Sequence, residues 1–145
     1  MIVNQCDISD VAKDNFSVLG MVLTILSTLN NNKPINTSYI NSVIWPAIHH
    51  RQIIVFLDRD TVPYAFAIWC KLSEDTTIRY INNPDFELHI SEWNEGENFW
   101  IHDFYSRPSK LLSTVRFLKN KFLKNADDNI GFIKNGMAVR FLNEG

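Results

Sequence analysis

The chain has 145 residues, 46% of them apolar and 21% charged, with a formal net charge of −2. This length and composition predict one globular domain, 1–145, with a buried core, and exclude a disordered or collagen-like chain. The charge gives no global pull toward nucleic acid, so no nucleic-acid partner is expected and any anionic partner has to meet a local patch. The two cysteines, Cys6 and Cys70, make neither a metal-type cluster nor a disulfide framework, which fits a reducing cytosol. No basic segment precedes the first apolar run, so the N-terminus does not read as a signal peptide. That run, Val18 to Leu29, is broken by Gly20, Thr24, Ser27 and Thr28 and is too short to span a bilayer.

Phe16, Leu19, Leu23, Leu26 and Leu29 step by three or four residues and predict one helix with these side chains on its apolar stripe. The run Asn30-Asn31-Asn32-Lys33-Pro34 ends it. A second helix is expected to start at Thr37 or Ser38 as cap, to carry Tyr39, Ile40, Val43 and Ile44 inward, and to stop at Pro46. Ile53 to Leu57 is a β-branched apolar run, and Pro63 to Trp69 reads as its hairpin partner across the turn Asp58-Arg59-Asp60. Ser73 caps a short helix, with Glu74 and Asp75 in its first turn, that ends at Asn82-Asn83-Pro84. Phe99 to Tyr105 is a third strand. Leu111, Val115, Leu118 and Phe122 mark a longer helix. Asn129 to Ile133 and Met137 to Leu142 close the chain as strands around Asn135-Gly136. Helices mixed with a mainly antiparallel sheet define an α+β domain.

No phosphate loop, GxGxxG, HExxH or GxSxG motif is present, and the helix beginning near Lys110 lacks the glycine-rich turn that cradles a pyrophosphate. No bound cofactor and no metal are expected. Asp103 stands inside the apolar stretch Trp100-Ile101-His102-Asp103-Phe104, where burying an unpartnered carboxylate is costly. Two placements are open to it: the solvent face or a strand end where backbone groups hold it, or a cleft where it orients a reacting group. Strand alternation puts His102 on the opposite face and argues against a His102–Asp103 dyad. The adjacent His49 and His50 are expected to meet the terminal carbonyls of their helix. Lys110, Arg116, Lys119, Lys121 and Lys124 form a basic stretch without an acidic residue. It is either a solvated face or a dock for an acidic protein or phosphorylated carrier arm.

An ordered set of short matches then points to a family. The stretch Val43-Ile44-Trp45-Pro46-Ala47-Ile48, Gln52, the run Val62 to Trp69, Leu72-Ser73, Tyr80, Glu92-Trp93, Gly96, Trp100 to Asp103 and the segment Arg116 to Phe122 resemble the toxin-activating lysine acyltransferases over roughly residues 19–125. The resemblance implies an acetyltransferase-like (GNAT-like) domain that takes a fatty acyl group from acyl carrier protein, its co-substrate, and places it on lysines of a protoxin in the cytoplasm. It implies a catalytic histidine after the first helix and a catalytic aspartate on a central strand. Asp103 matches the aspartate. At the histidine's place, after Leu29 and four residues before Pro34, this chain has Asn30. An amide is not a general base near neutral pH, although it can donate a hydrogen bond to an oxyanion. The resemblance also extends to divergent relatives that work with a second maturation protein to join a glucosylated siderophore to a microcin's C-terminus. The expected function is therefore maturation of a bacterial toxin or bacteriocin peptide; a component of a complex that attaches the siderophore to a microcin is the alternative, and a non-catalytic partner-binding module is a further alternative. Arg116, Lys119 and Lys121 are the candidate carrier or partner contacts, and an oligomer is left open.

Overall fold

The computed structural model describes residues 4–7, 14–29, 34–83, 86–123, 129–134 and 137–142. Six strands form one sheet in chain order: β1 (Asn4–Asp7), β2 (Ile53–Leu57), β3 (Pro63–Leu72), β4 (Asn98–Ser106), β5 (Asn129–Lys134) and β6 (Met137–Leu142). Every neighbouring pair is antiparallel except β4 with β5. The α+β class with a mainly antiparallel sheet and flanking helices is thus what the chain adopts. β1 is an addition to the expected elements. The turn Asn135-Gly136 lies outside the described residues.

The two faces of the sheet carry different cores. On one face Val55, Phe66, Ile68, Cys70, Leu72 and Trp100 pack against α1 (Asp14–Leu29), against the helical run after Asn36, and against Tyr80, Leu88 and Trp93. On the other, Ile54, Phe56, Ala65 and Ala67 meet Phe117, Leu118 and Phe122 of α5 (Leu111–Phe122). Fully burying a large apolar side chain contributes about 1.5–3 kcal/mol, so the first, larger face dominates stability.

α1 forms where the periodicity places it, but its buried stripe is Val18, Val22, Ile25 and Leu26. Phe16 is 73% exposed and meets the edge of Trp45, ring centroids 5.5 Å apart. Val18, Val22 and Ile25 keep a spacing of four and three themselves, so the chain satisfies the same rule with the helix rotated.

The second helical run differs from expectation at both ends. Its cap is Asn36, whose side chain accepts from the Ser38 N–H at 2.9 Å. Pro46 does not stop it. The run passes from α2 (Thr37–Tyr39) through a π-helical turn (Ile40–Ile44) into α3 (Trp45–His49), with Pro46 in the first turn of α3. A proline in an α-helix loses one N–H bond and presses on the preceding turn, and a widened π turn relieves both demands.

The β2–β3 hairpin forms as expected. The Asp58 carboxylate accepts from the N–H groups of Asp60 and Val62, at 2.9 and 3.0 Å, and closes the turn. Ser73 caps α4 (Glu74–Asn82). Gly96 is required by close approach: a Cβ there would run into the Leu72 carbonyl.

Candidate active site

β4 is the centre of the site. In its register with β3, Ile68 faces Asp103 and Trp69 faces Ile101, so His102 is an extra, bulged residue. A β-bulge of this kind puts two residues opposite one and resets the alternation of side chains. Trp100 therefore lies on the larger core face, His102 meets Tyr80 and Trp93 on that same face, and Asp103 reaches Tyr39, which packs there too. Phe104 returns to the α5 side. The expectation that His102 and Asp103 point apart is corrected: the bulge brings both to one face.

Asp103 is neither at a strand end nor on a free solvent face. Its Oδ2 accepts a short hydrogen bond from the Tyr39 hydroxyl, and its Oδ1 accepts from the Phe104 N–H at 3.0 Å. Burial pushes its carboxyl above the usual range, and the two hydrogen bonds offset only part of that. Burial first, and then the neighbouring carboxylate, push the Tyr39 phenol far up as well. The shared proton consequently belongs to the phenol at neutral pH. A buried carboxylate with a raised pKa beside a pocket is an arrangement expected of reactive sites.

His102 is clamped. Its Nδ1 lies 2.9 Å from the Tyr80 hydroxyl, with the Trp93 ring set edge-on at 5.1 Å and the Tyr80 ring at 5.7 Å. Burial pushes its pKa down to about 4, so the imidazole is neutral at physiological pH.

Tyr39 and His102 open on one pocket of about 240 Å³, lined also by Asn36, Ser38, Ser42, Val43 and Phe86 to Leu88. The outer wall is fixed by Arg79, which lies over the Phe86 ring at 5.2 Å and pairs with Glu92 at 3.0 Å. Glu92 in turn closes a capping box with His89, a residue that gave no signal in the sequence. The pocket has room for an acceptor side chain.

The other sequence candidates lie elsewhere. Arg116, Lys119 and Lys121 are on α5, across the sheet from Asp103 and His102. Lys121 Nζ stands 5.9 Å from the Phe122 ring centre. Asn30 lies outside the described residues. His49 stacks near Trp45, ring centroids 5.7 Å apart. His50 Nε2 is 2.7 Å from the Ile90 carbonyl, so it ties its helix end to a distant segment, where the sequence suggested the helix's own carbonyls. Sequence reasoning missed Tyr39, Tyr80 and His102 as a group. Phenols among apolar residues read as core, and the signal that unites them is a bulge. Among the described residues, no three His, Cys, Asp or Glu side chains are placed to hold a metal, and no helix is long and apolar enough to cross a membrane.

A buried carboxylate and imidazole held by phenols at one pocket make a site for proton transfer. The family model of the RTX toxin acyltransferases matches residues 11–138, and the chain belongs to that family. The chain is 28% identical over 109 residues to an RTX-III toxin-activating lysine-acyltransferase of Actinobacillus pleuropneumoniae, covering 75% of this chain and 62% of that one. It is 32% identical over 93 residues to a protein-lysine myristoyltransferase of Kingella kingae, covering 63% of this chain and 53% of the relative. The chain thus spans a little over half the length of these curated relatives. A crystal structure of a histone-acetyltransferase-related acetyltransferase from Corynebacterium glutamicum aligns with a TM-score of 0.48 at 10% identity, over 91% of this chain and 76% of that one.

Proposed function

We propose that this chain is an acyltransferase that matures a bacterial toxin or bacteriocin peptide in the cytoplasm, with Tyr39 and Asp103 at the reacting centre. The observation that carries this reading is the Tyr39–Asp103 pair: a carboxylate with a raised pKa, held by a phenol that opens on a pocket sized for an acceptor side chain. The Tyr39 proton is directed to Asp103, which leaves a phenolic lone pair for the N–H or O–H of the acceptor. The acyl donor is a thioester on acyl carrier protein, as the family resemblance implies. Glu87 at the pocket lining draws a cationic acceptor such as lysine. Family membership supports the acyl chemistry.

Asn30 favours a second reading, in which the chain acts with a second maturation protein and the product is a microcin carrying a glucosylated siderophore at its C-terminus. Positioned acid–base groups contribute about 10²- to 10⁴-fold, so loss of the family histidine leaves room for a partner's contribution. Reconstitution separates the readings: the purified chain is incubated with a protoxin or microcin peptide and either an acyl-carrier thioester or a glucosylated siderophore, with and without the products of neighbouring genes. Mass spectrometry then reads the modified peptide. Transfer by the chain alone excludes partner dependence. Absence of transfer in every combination leaves a non-catalytic binding module. In a partner-dependent system Asn30→His gives no gain.

A further inference from the structure

We propose that His102 is the proton acceptor for the attacking nucleophile of the acyl transfer, reaching it through Nε2 from the strand side of the pocket. This rests on the acyltransferase reading and adds to it a residue that sequence alternation had turned away from Asp103.

The assignment follows from what the polar groups of the pocket are already doing; the Ser38 hydroxyl, also in the lining, is not a base at neutral pH. The Ser42 hydroxyl donates to the Ser38 carbonyl at 2.7 Å. The Asn36 side chain caps its helix. The Tyr39 hydroxyl donates its hydrogen bond to Asp103. Glu87 is an exposed residue of the outer wall. His102 lines the same pocket from β4, and its Nδ1 is committed to Tyr80, so Nε2 is the ring nitrogen left for a ligand. Which nitrogen carries the proton is set by the bond the other makes. With the proton on Nδ1 donated to the Tyr80 oxygen, Nε2 keeps its lone pair. Trp93 and Tyr80 pack the ring on two sides and fix its direction. Tyr80 therefore acts as a positioning residue.

The step balances with a thioester donor. A lysine acceptor first gives its ammonium proton to solvent; the neutral amine, or a hydroxyl, then forms its bond to the acyl carbon while its proton passes to Nε2. The C–S bond breaks, and the leaving thiolate takes that proton from the imidazolium, which returns His102 to the neutral form. Burial keeps the free imidazole unprotonated and makes the imidazolium a ready donor to the leaving group; it weakens the imidazole as an acceptor, so the first transfer relies on the ring's fixed position at the pocket.

Two measurements test this. Nitrogen NMR of the isotope-labelled imidazole in the purified chain at neutral pH must show the proton on Nδ1 and the lone pair on Nε2; a proton on Nε2 overturns the proposal, whatever the activity. In the transfer assay, His102→Gln keeps an amide oxygen and an N–H but no base, and kcat/KM is expected to fall about 10²- to 10⁴-fold. Wild-type rate in the Gln variant, with Asp103→Asn inactive, overturns the His102 assignment and leaves the acyltransferase reading standing. A wild-type chain that transfers nothing under any condition overturns both.

Discussion

Replacing Asp103 by Asn separates activity from stability, and the two effects have opposite signs. The carboxylate's two hydrogen bonds are charge-assisted, at about 1.5–3 kcal/mol each against about 0.5–1.5 for neutral ones. Its raised pKa shows, however, that burial costs more than those bonds return. A folded-state pKa above the unfolded value means that the group's favourable contribution is complete below the unfolded pKa and disappears as pH rises through the folded one. Each unit of such a shift removes ~1.4 kcal/mol at neutral pH. Asn has the same shape, still accepts from Tyr39 or Phe104, and carries no charge to bury. Asp103→Asn is therefore expected to be at least as stable as wild type at pH 7 and close to it at pH 3.5, while transfer falls by about 10²-fold or more. Asp103→Ala, which leaves the Tyr39 hydroxyl without its acceptor, costs about 1–3 kcal/mol. Urea unfolding of the three proteins at both pH values is the assay. If wild type gains on the Asn variant as pH rises, the carboxylate is stabilised by its surroundings and the reasoning fails.

Arg116, Lys119 and Lys121 changed together to Ala are expected to weaken capture of an acidic carrier or partner at low salt, with the difference vanishing as salt rises, because charged rims act on encounter and are screened. They stand across the sheet from the pocket, so the nitrogen NMR signals of His102 should not move; unchanged affinity at low salt marks the patch as a solvated face. Gly131 pairs with Trp100 across β4 and β5, and a Cβ there would stand 2.5 Å from the Trp100 ring. Gly131→Ala is expected to cost about 1–3 kcal/mol by overpacking, read as a lower midpoint in urea; an unchanged midpoint contradicts the contact.

Period and turn chemistry were enough to place most of the elements. The hairpin announced itself by a β-branched run and a second apolar run around Asp58-Arg59-Asp60, and α5 by its spacing of four, three and four. Three features were not legible, each for a physical reason. The rotation of α1 was hidden because Phe16, Val18 and Leu19 are all apolar, and only the packed core chooses which of them to bury. Pro46 reads as a helix stop because the π turn that accommodates it leaves no local mark. The shared face of His102 and Asp103 depends on a bulge set by pairing with β3, more than thirty positions away in the chain. Asp103 itself was legible as an anomaly, a carboxylate in an apolar strand. Its partner Tyr39 was not, because a phenol on a helix stripe looks like core.

The most direct measurement is transfer from an acyl-carrier thioester to a toxin or bacteriocin peptide, followed by mass spectrometry of the peptide, with wild type, Tyr39→Phe and Asp103→Asn compared under conditions where all three are folded. An acyl mass increment is expected with wild type, little with Tyr39→Phe and none with Asp103→Asn. Equal modification by all three would contradict the placement of the reaction at the Tyr39–Asp103 pocket.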